Sequence, residues 1–286
     1  MAVIDAQNLS VSYQNRLMNM VMAIDVNPAT DEISVVGTEA TNEVRFEPVL
    51  NGTFLRVNVA TFPEGGNSTV RDLNPHLNYN SPTTTQSNRE QSIGDPRGIA
   101  WNASGNRAFV TGMGSNNVIV TNKNGTRLGK IEVGQGPTGI VLDNSAGVGF
   151  VMNKFDGTIS IIDLNSLTEA AQVAFDDPTP EVVKNGRPFL YNTHLTSGLG
   201  HVSCGSCHVD ARANRLAWDL GDPTGLIAQV ATASNFNGSA TGGQTSVSPM
   251  KGPMVTQILQ DIMSHPSLHW RGTRGNFQIS IQRFKD

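Results

Sequence analysis

The chain has 286 residues, a mass of 30.6 kDa and a formal net charge of −4. This length is sufficient for two domains, and the negative charge argues against nucleic acid or an anionic membrane as the main partner. Only 15% of the residues are charged, whereas 29 are glycine, a balance typical of a turn-rich β-protein outside the cytoplasm. No apolar run is long enough to span a bilayer.

Residues 1–191 are predicted to form short strands separated by turns rich in Asn, Gly and Pro. The polar stretch 65–91 is predicted to be a long loop. The β-rich runs before it are Val3–Asp5, Met20–Asp25, Ile33–Gly37 and Phe54–Ala60.

An internal repeat then follows. The segment Pro96–Asn102 returns 41 positions later as Pro137–Asp143, and the register continues without a gap through the next two β-rich runs. A third, shorter copy is predicted over Pro178–Tyr191. A period near 40 with about four strands per unit is typical of β-propeller blades. A sandwich of similar hairpins is the alternative, although it does not require gapless self-similarity.

The segment Val133–Ile140 and its equivalent at Pro96 resemble the YVTN-type β-propeller repeat of bacterial secreted proteins. This resemblance implies that residues 1–191 are propeller blades forming an incomplete ring. The residues that follow Met1 show no basic region, apolar core or small-residue cleavage site of a secretory signal. We therefore expect the chain to be a fragment of a longer secreted protein, located in the periplasm or outside the cell.

Both cysteines of the chain lie in one motif, Cys204-Gly205-Ser206-Cys207-His208. This spacing is typical of c-type haem attachment, in which each thiol forms a thioether with the haem and the histidine binds the iron. A redox dithiol uses the same cysteine spacing but normally follows a strand in a βαβ unit. A structural disulfide across so short a loop would add little stability. A structural zinc site would need four ligands, and no second cysteine pair exists.

After the motif, residues 208–218 are predicted to begin as a helical turn. The apolar positions of Met254–Met263 have helical spacing, with Pro253 just before them. The stretch 234–248, rich in Gly and Ser, is predicted to be a surface loop.

The run Leu195–Asp222 resembles the haem domain of the bacterial di-haem cytochrome c peroxidase and MauG superfamily. The run Lys251–Arg274 resembles a later segment of the same superfamily. These resemblances imply a multidomain β + α protein, in which a partial propeller (1–191) precedes a mainly α-helical c-type haem domain (192–286).

The resemblance also implies roles for individual residues. Cys204 and Cys207 match the thioether positions, and His208 matches the proximal iron ligand. The remaining positions near the haem would include arginines able to pair with propionates, tryptophans packed on the macrocycle and a distal ligand. The arginines are Arg212 and Arg215, the tryptophans Trp218 and Trp270, and the candidate distal ligands Met250, Met254, His265 and His269.

The functional expectation is a secreted protein with one covalent haem c that transfers electrons. Its partner would be a small redox protein or a quinol-linked electron donor. Members of the superfamily use two haems, and this sequence has one attachment motif. Peroxide reduction of the cytochrome c peroxidase type would therefore need a second haem. The alternative is a propeller-based surface-layer or ligand-binding protein in which the haem is an accessory.

Overall fold

The computed structural model describes residues 1–41, 44–47, 49–231, 244–260 and 262. Three four-stranded antiparallel sheets dominate these residues, each connected strand by strand in chain order. Blade 1 contains strands β3 to β6, blade 2 strands β7 to β10, and blade 3 strands β11 to β14. Their bounds are β3 (Met20–Val26), β4 (Ile33–Ala40), β5 (Leu55–Phe62), β6 (Thr69–Asp72), β7 (Pro96–Trp101), β8 (Arg107–Gly112), β9 (Asn117–Asn122), β10 (Arg127–Glu132), β11 (Pro137–Asp143), β12 (Val148–Asn153), β13 (Thr158–Asp163) and β14 (Thr168–Ala174).

The 41-residue repeat corresponds to blades 2 and 3. Each of the four strands of blade 3 begins 41 positions after its equivalent in blade 2. The first strand of each blade carries a β-bulge in the same place, just after Pro96 and Pro137. The predicted blade repeat is therefore confirmed, and this part of the chain has a propeller-like fold.

The blades pack face to face through apolar side chains. Strand β7 of blade 2 contacts β3 and β4 of blade 1, and β11 of blade 3 contacts β7 and β8. One buried cluster, which includes Val57, Ile99 and Trp101, joins blades 1 and 2. A second, which includes Phe109 and Ile162, joins blades 2 and 3. Each buried side chain removes apolar area from water, which is the main favourable contribution to holding the blades together.

The connections before blade 2 agree in part with prediction. The two-stranded hairpin of β1 (Ala2–Ile4) and β2 (Val11–Tyr13) precedes blade 1. The predicted loop 65–91 contains β6, the last strand of blade 1, and the one-turn helix α1 (Gln86–Arg89). The remainder of that stretch is loop and turn.

The predicted third repeat copy over Pro178–Tyr191 is wrong, because these residues form helix α2 (Glu181–Tyr191). Proline is tolerated at a helix start, and Pro180 occupies the N-cap. The side chains of Lys184 and Arg187 both reach Asp177 just before the helix, at 3.6 and 3.8 Å. These local contacts fix a helical turn where the sequence echo suggested a strand.

The region 192–286 is not shown to be mainly helical. Its described residues contain two four-residue helices, α3 (Thr193–Thr196) and α4 (Cys204–Cys207), and a 3₁₀ turn (Val209–Ala211). They also contain four short strands, β15 (Ala217–Trp218), β16 (Ala228–Ala231), β17 (Gln244–Val247) and β18 (Met254–Val255). Among the described residues no helix is both long and apolar enough to cross a membrane.

The helix predicted over Met254–Met263 is also wrong for the residues that the structure describes. Met254 pairs with Trp218 in a two-stranded sheet, and the backbone N–H of Leu259 donates to the carbonyl of Ala211 at 2.9 Å. Residues 254–260 therefore run beside the segment that contains Cys204–His208. Here tertiary pairing overrides a helical pattern, since intrinsic propensity is a weak determinant.

Candidate functional site

The motif Cys204–His208 consists of the one-turn helix α4 and its C-cap residue His208. Ser203 precedes the helix in extended conformation, and its backbone N–H donates to the hydroxyl of Ser206 at 3.0 Å. The N–H of His208 donates to the carbonyl of Cys204 at 2.9 Å. Gly205 packs directly against the ring of Tyr191, where an added Cβ would lie 2.6 Å from a ring carbon. The turn is thus fixed at both ends, and its second position has no room for a larger side chain.

The two cysteines carry free thiols and are half-buried. Burial raises the pKa of both thiols, and that of Cys207 rises to about 12, with Cys204 and Asp95 adding to the effect. Both thiols are therefore protonated at neutral pH. A thioredoxin-type dithiol needs a lowered thiol pKa to be reactive, so the structure gives no sign of that chemistry here.

His208 is held by a backbone carbonyl. Its Nδ1 lies 2.6 Å from the carbonyl oxygen of Gln257. A carbonyl can only accept, so Nδ1 carries the proton, and the lone pair of the neutral ring is on Nε2. Burial lowers the pKa of His208, with the Gln257 bond partly opposing this shift. The ring is therefore neutral at physiological pH, and Nε2 makes no hydrogen bond to the described residues.

Cys207 packs into an apolar cluster that joins the motif to blade 1. The buried members are Ala40, Leu55, Val202 and Trp218, and Cys207 packs against them. Trp218 lies edge-on to Phe54, with ring centroids 6.1 Å apart. The motif therefore rests on the last part of blade 1 and on the strand pair β15–β18.

The other predicted site residues differ in how far they are buried. Trp218 is buried beside Cys207, and Met254 is its half-buried neighbour in the strand pair. Arg212 and Arg215 are exposed, and Met250 is also largely exposed. The remaining predicted residues, His265, His269 and Trp270, lie outside the described residues.

A charged group near the motif was missed by sequence analysis. Arg97 of strand β7 bonds Asp95 through two nitrogens, at 3.3 and 3.4 Å, and lies 3.4 Å from an oxygen of Asp210. Asp210 is two residues beyond His208. Asp95 is almost completely buried, and burial raises its pKa while Arg97 opposes the rise. Arg97 and Asp210 are 113 positions apart, so no local pattern could have revealed this ion pair.

Other contacts attach the segment before the motif to blade 2 and its surroundings. Thr193 donates its backbone N–H to the carbonyl of Gly114 at 2.8 Å. The ring of His194 bonds the carbonyl of Ser92 at 3.0 Å, and buried His201 bonds the carbonyl of Leu55 at 2.9 Å. These histidines are already used in attachment to the blades, which distinguishes them from His208.

The residues present fit a covalently bound haem c. The donor set is two unpaired thiols separated by one helical turn and a neutral imidazole with a free Nε2. A backbone or carboxylate acceptor on the other ring nitrogen is the usual way in which a metal-binding histidine is oriented. Within the described part of the chain, no group of three or more His, Cys, Asp and Glu could hold a metal ion by itself.

No protein-family model and no curated protein matches the chain. Solved structures with similarity include Kuenenia stuttgartiensis hydrazine synthase (16% identity, TM-score 0.42, 50% of this chain and 45% of that chain). They also include a nidogen/laminin complex, with 12% identity and a TM-score of 0.42 over 61% of this chain and 55% of that chain. A third similar structure is that of a putative 6-phosphogluconolactonase from Bacteroides uniformis. It has 10% identity and a TM-score of 0.40 over 61% of this chain and 49% of that chain. The chain thus spans about half the length of the solved structures that it matches.

Proposed function

We propose that this protein is an extracytoplasmic c-type haem protein that transfers electrons. The observation that carries the proposal is the anchoring of His208 to the carbonyl of Gln257. This bond leaves the lone pair of the ring on Nε2, immediately after a turn that bears two free thiols.

In this proposal Cys204 and Cys207 are the thioether positions and His208 is the proximal ligand. The bound haem would supply a one-electron redox centre. The carbonyl of Gln257 keeps the proton on Nδ1 and fixes the ring plane, which makes Nε2 a better donor. The apolar cluster around Cys207, with Trp218 as its largest member, excludes water from one side of the motif.

The blades have a positioning role in this proposal. Arg97 of blade 2, which also bonds Asp95, holds Asp210, and the apolar cluster of blade 1 holds Cys207. The motif is thereby attached to two blades at once. A rigid, partly dehydrated setting suits electron transfer because it lowers the reorganisation that accompanies a change of charge. The electron partner would be a small redox protein, and peroxide reduction would require a second haem.

The test is covalent haem attachment in a bacterial host with a c-type maturation system. The 286-residue chain is exported to the periplasm by an added signal sequence, and the purified protein is extracted with acidified acetone. We expect haem to remain on the protein and to give a c-type pyridine haemochrome spectrum. Cys204→Ser and Cys207→Ser should each shift the α-band towards the b-type position, because one thioether is lost.

His208 is tested separately, with His76 as the matched control. His76 is half-buried, and its Nε2 lies 3.2 Å from the hydroxyl oxygen of Ser92. His208→Ala should lose the proximal ligand and alter the spectrum of the intact protein, whereas His76→Ala should not. A wild-type protein that is folded but releases all its haem on extraction would contradict the proposal.

A further inference from the structure

A cavity with a volume of about 270 Å³ lies between the turns of blades 2 and 3. The β7–β8 turn of blade 2 lines one side, and the β11–β12 and β13–β14 turns of blade 3 line the other. Phe109 and Leu164 give it an apolar floor, since both are buried in the cluster that joins the two blades. These turns lie at the opposite end of β7 from Arg97, so the cavity is separate from the Cys204–His208 motif.

The amide side chains at the rim of this cavity have oxygens that are already hydrogen-bonded. Oδ1 of Asn106 accepts from the side chains of Asn102 and Ser104, at 2.8 and 3.0 Å. Oδ1 of Asn144 accepts from the backbone N–H of Ala103 at 2.9 Å. Within the described part of the chain, Nδ2 of Asn106 and Nδ2 of Asn144 make no hydrogen bond. An amide held by its oxygen still has N–H groups to donate, so the rim suits a ligand that carries acceptors.

Arg107 places a positive charge beside these amides. Its side chain lies on the same face of β8 as that of Phe109, because side chains two residues apart on a strand share a face. Its Nη1 donates to the carbonyl of Leu164 at 3.0 Å. A guanidinium has five N–H groups, and this is the one hydrogen bond that the Arg107 side chain makes to described residues, where it also forms no ion pair. Most of its donors can therefore serve a ligand.

The 41-residue repeat shows which residues of the cavity the fold itself requires. Oδ1 of Asn102 accepts from backbone N–H groups of its own turn, and Oδ1 of the equivalent Asp143 does the same one blade later. An acceptor at this position thus forms the turn. Arg107, in contrast, is replaced by Val148 in blade 3, although strand and turn form there in the same way. The guanidinium is therefore not needed to form the blade.

Two carboxylates near the cavity limit the charge that a ligand can carry. Asp143 is bonded by the side chain and backbone of Ser145, and Asp163 by the backbone of Ser166. These hydrogen bonds lower the pKa of both carboxyls, so both are ionised at neutral pH. Each immediately precedes a residue that lines the cavity, but neither lines it. One guanidinium with two negative charges nearby favours a singly charged anion over a more highly charged one.

We propose that this cavity binds a small organic monocarboxylate whose body carries further hydrogen-bond acceptors. The planar guanidinium of Arg107 matches a carboxylate bidentately, and the amide nitrogens of Asn106 and Asn144 donate to the acceptors of the ligand body. The volume is about nine times the roughly 30 Å³ that one water occupies in the liquid. It lies below the range of about 300–1,000 Å³ that is typical of pockets for drug-sized ligands. The site therefore suits a compact organic acid rather than a lone inorganic ion.

The test is a nuclear magnetic resonance titration of the 286-residue protein with N-acetylglycine, at constant ionic strength. This probe has one carboxylate and one further carbonyl, and N-acetylglycinamide is its uncharged counterpart of the same shape. The Nε–H signal of Arg107, identified by its loss in Arg107→Lys, should shift saturably with N-acetylglycine. The uncharged amide should bind at least about tenfold more weakly, because the charge-assisted bonds are lost. The Nε–H of Arg71, which donates to the carbonyl of Asn124 at 2.8 Å, should not shift.

Asn165 and Asn124 provide a matched pair of variants, because they are 41 positions apart in equivalent turns. Each donates its backbone N–H to a side-chain oxygen two residues earlier, at 2.8 and 2.9 Å. Asn165 lines the cavity, whereas Asn124 does not. Asn165→Asp should weaken binding of N-acetylglycine by about tenfold through charge repulsion, and Asn124→Asp by less than about twofold.

Three results would overturn the proposal. The first is an Arg107 signal that does not shift saturably with N-acetylglycine. The second is binding of N-acetylglycinamide or inorganic phosphate that is as tight as that of N-acetylglycine. The third is an equal loss of affinity in Asn165→Asp and Asn124→Asp.

Discussion

Replacement of Arg97 by methionine should strongly destabilise the contact between blade 2 and the Cys204–His208 segment. Both oxygens of Asp95 accept bonds from Arg97, at 3.3 and 3.4 Å, and the Asp95 side chain is only 3% exposed. Removing one partner of a buried pair leaves an unpaired charge and typically costs about 3–5 kcal/mol. The contact to the exposed Asp210 adds at most about 1 kcal/mol. We therefore expect Arg97→Met to lower the free energy of unfolding by about 3–5 kcal/mol.

Urea unfolding followed by circular dichroism measures this loss. Arg71→Met is the matched control, because Arg71 is exposed and bonds only the carbonyl of Asn124 among the described residues. It should change the free energy of unfolding by less than about 0.5 kcal/mol. Adding Asp95→Asn to Arg97→Met should restore part of the stability by removing the unpaired charge. A loss below about 1 kcal/mol, or no recovery in the double variant, would refute this reasoning.

The pH dependence of the Arg97→Met defect gives a second check. Burial raises the pKa of Asp95 and Arg97 opposes the rise, so the variant should raise that pKa further. An acid whose pKa is raised in the folded state binds its proton more tightly there than in the unfolded chain. Its contribution to stability is greatest at low pH and falls as pH rises through the folded pKa. The defect should therefore be smaller at pH 4 than at pH 7.

Three further predictions concern packing and titration elsewhere in the chain. A Cβ added at Gly98 would lie 2.8 Å from the hydroxyl oxygen of Thr111, whereas one added at Gly139 would meet only Met152, at 3.8 Å. Gly98→Ala should therefore cost about 1–3 kcal/mol of unfolding free energy through overpacking, and Gly139→Ala less than about 0.5 kcal/mol. Equal effects in urea unfolding would contradict the difference drawn between the two sites. Burial lowers the pKa of His201 to about 4, so its contribution to stability should fall by about 3 kcal/mol between pH 7 and pH 4. His201→Gln should show a flatter pH profile, and an unchanged profile would exclude His201 as the cause. Asn74→Ala should cost about 3 kcal/mol, because its buried amide bonds both the N–H and the carbonyl of Ile93; a loss within about 0.5 kcal/mol would refute that estimate.

The repeat could be predicted from sequence where local pattern and packing agree. Blades 2 and 3 follow the 41-residue register strand by strand, because alternating apolar residues and polar turns determine both the strands and the faces that they bury. Pattern failed at α2 and β18. At α2 the helix side chains Lys184 and Arg187 pair with Asp177 just before the helix. At β18 the strand pairs with Trp218 of a separate segment.

Of the candidate site, only the Cys204–His208 motif could be predicted from the sequence. The spacing of Cys204, Cys207 and His208 is a local signal. The acceptor for His208 is a main-chain carbonyl, which can belong to any residue, so the sequence cannot identify Gln257. The Arg97–Asp210 ion pair forms because folding brings blade 2 into contact with the motif segment. This tertiary contact leaves no local pattern in the sequence.

The most direct test of the proposed function is mass spectrometry of the tryptic peptide that contains residues 185–212. Protein matured in the periplasm should yield this peptide with one haem attached through both Cys204 and Cys207. Periplasmic protein that is folded but yields the same peptide without haem, with its thiols free or oxidised to a disulfide, would contradict the assignment of the motif.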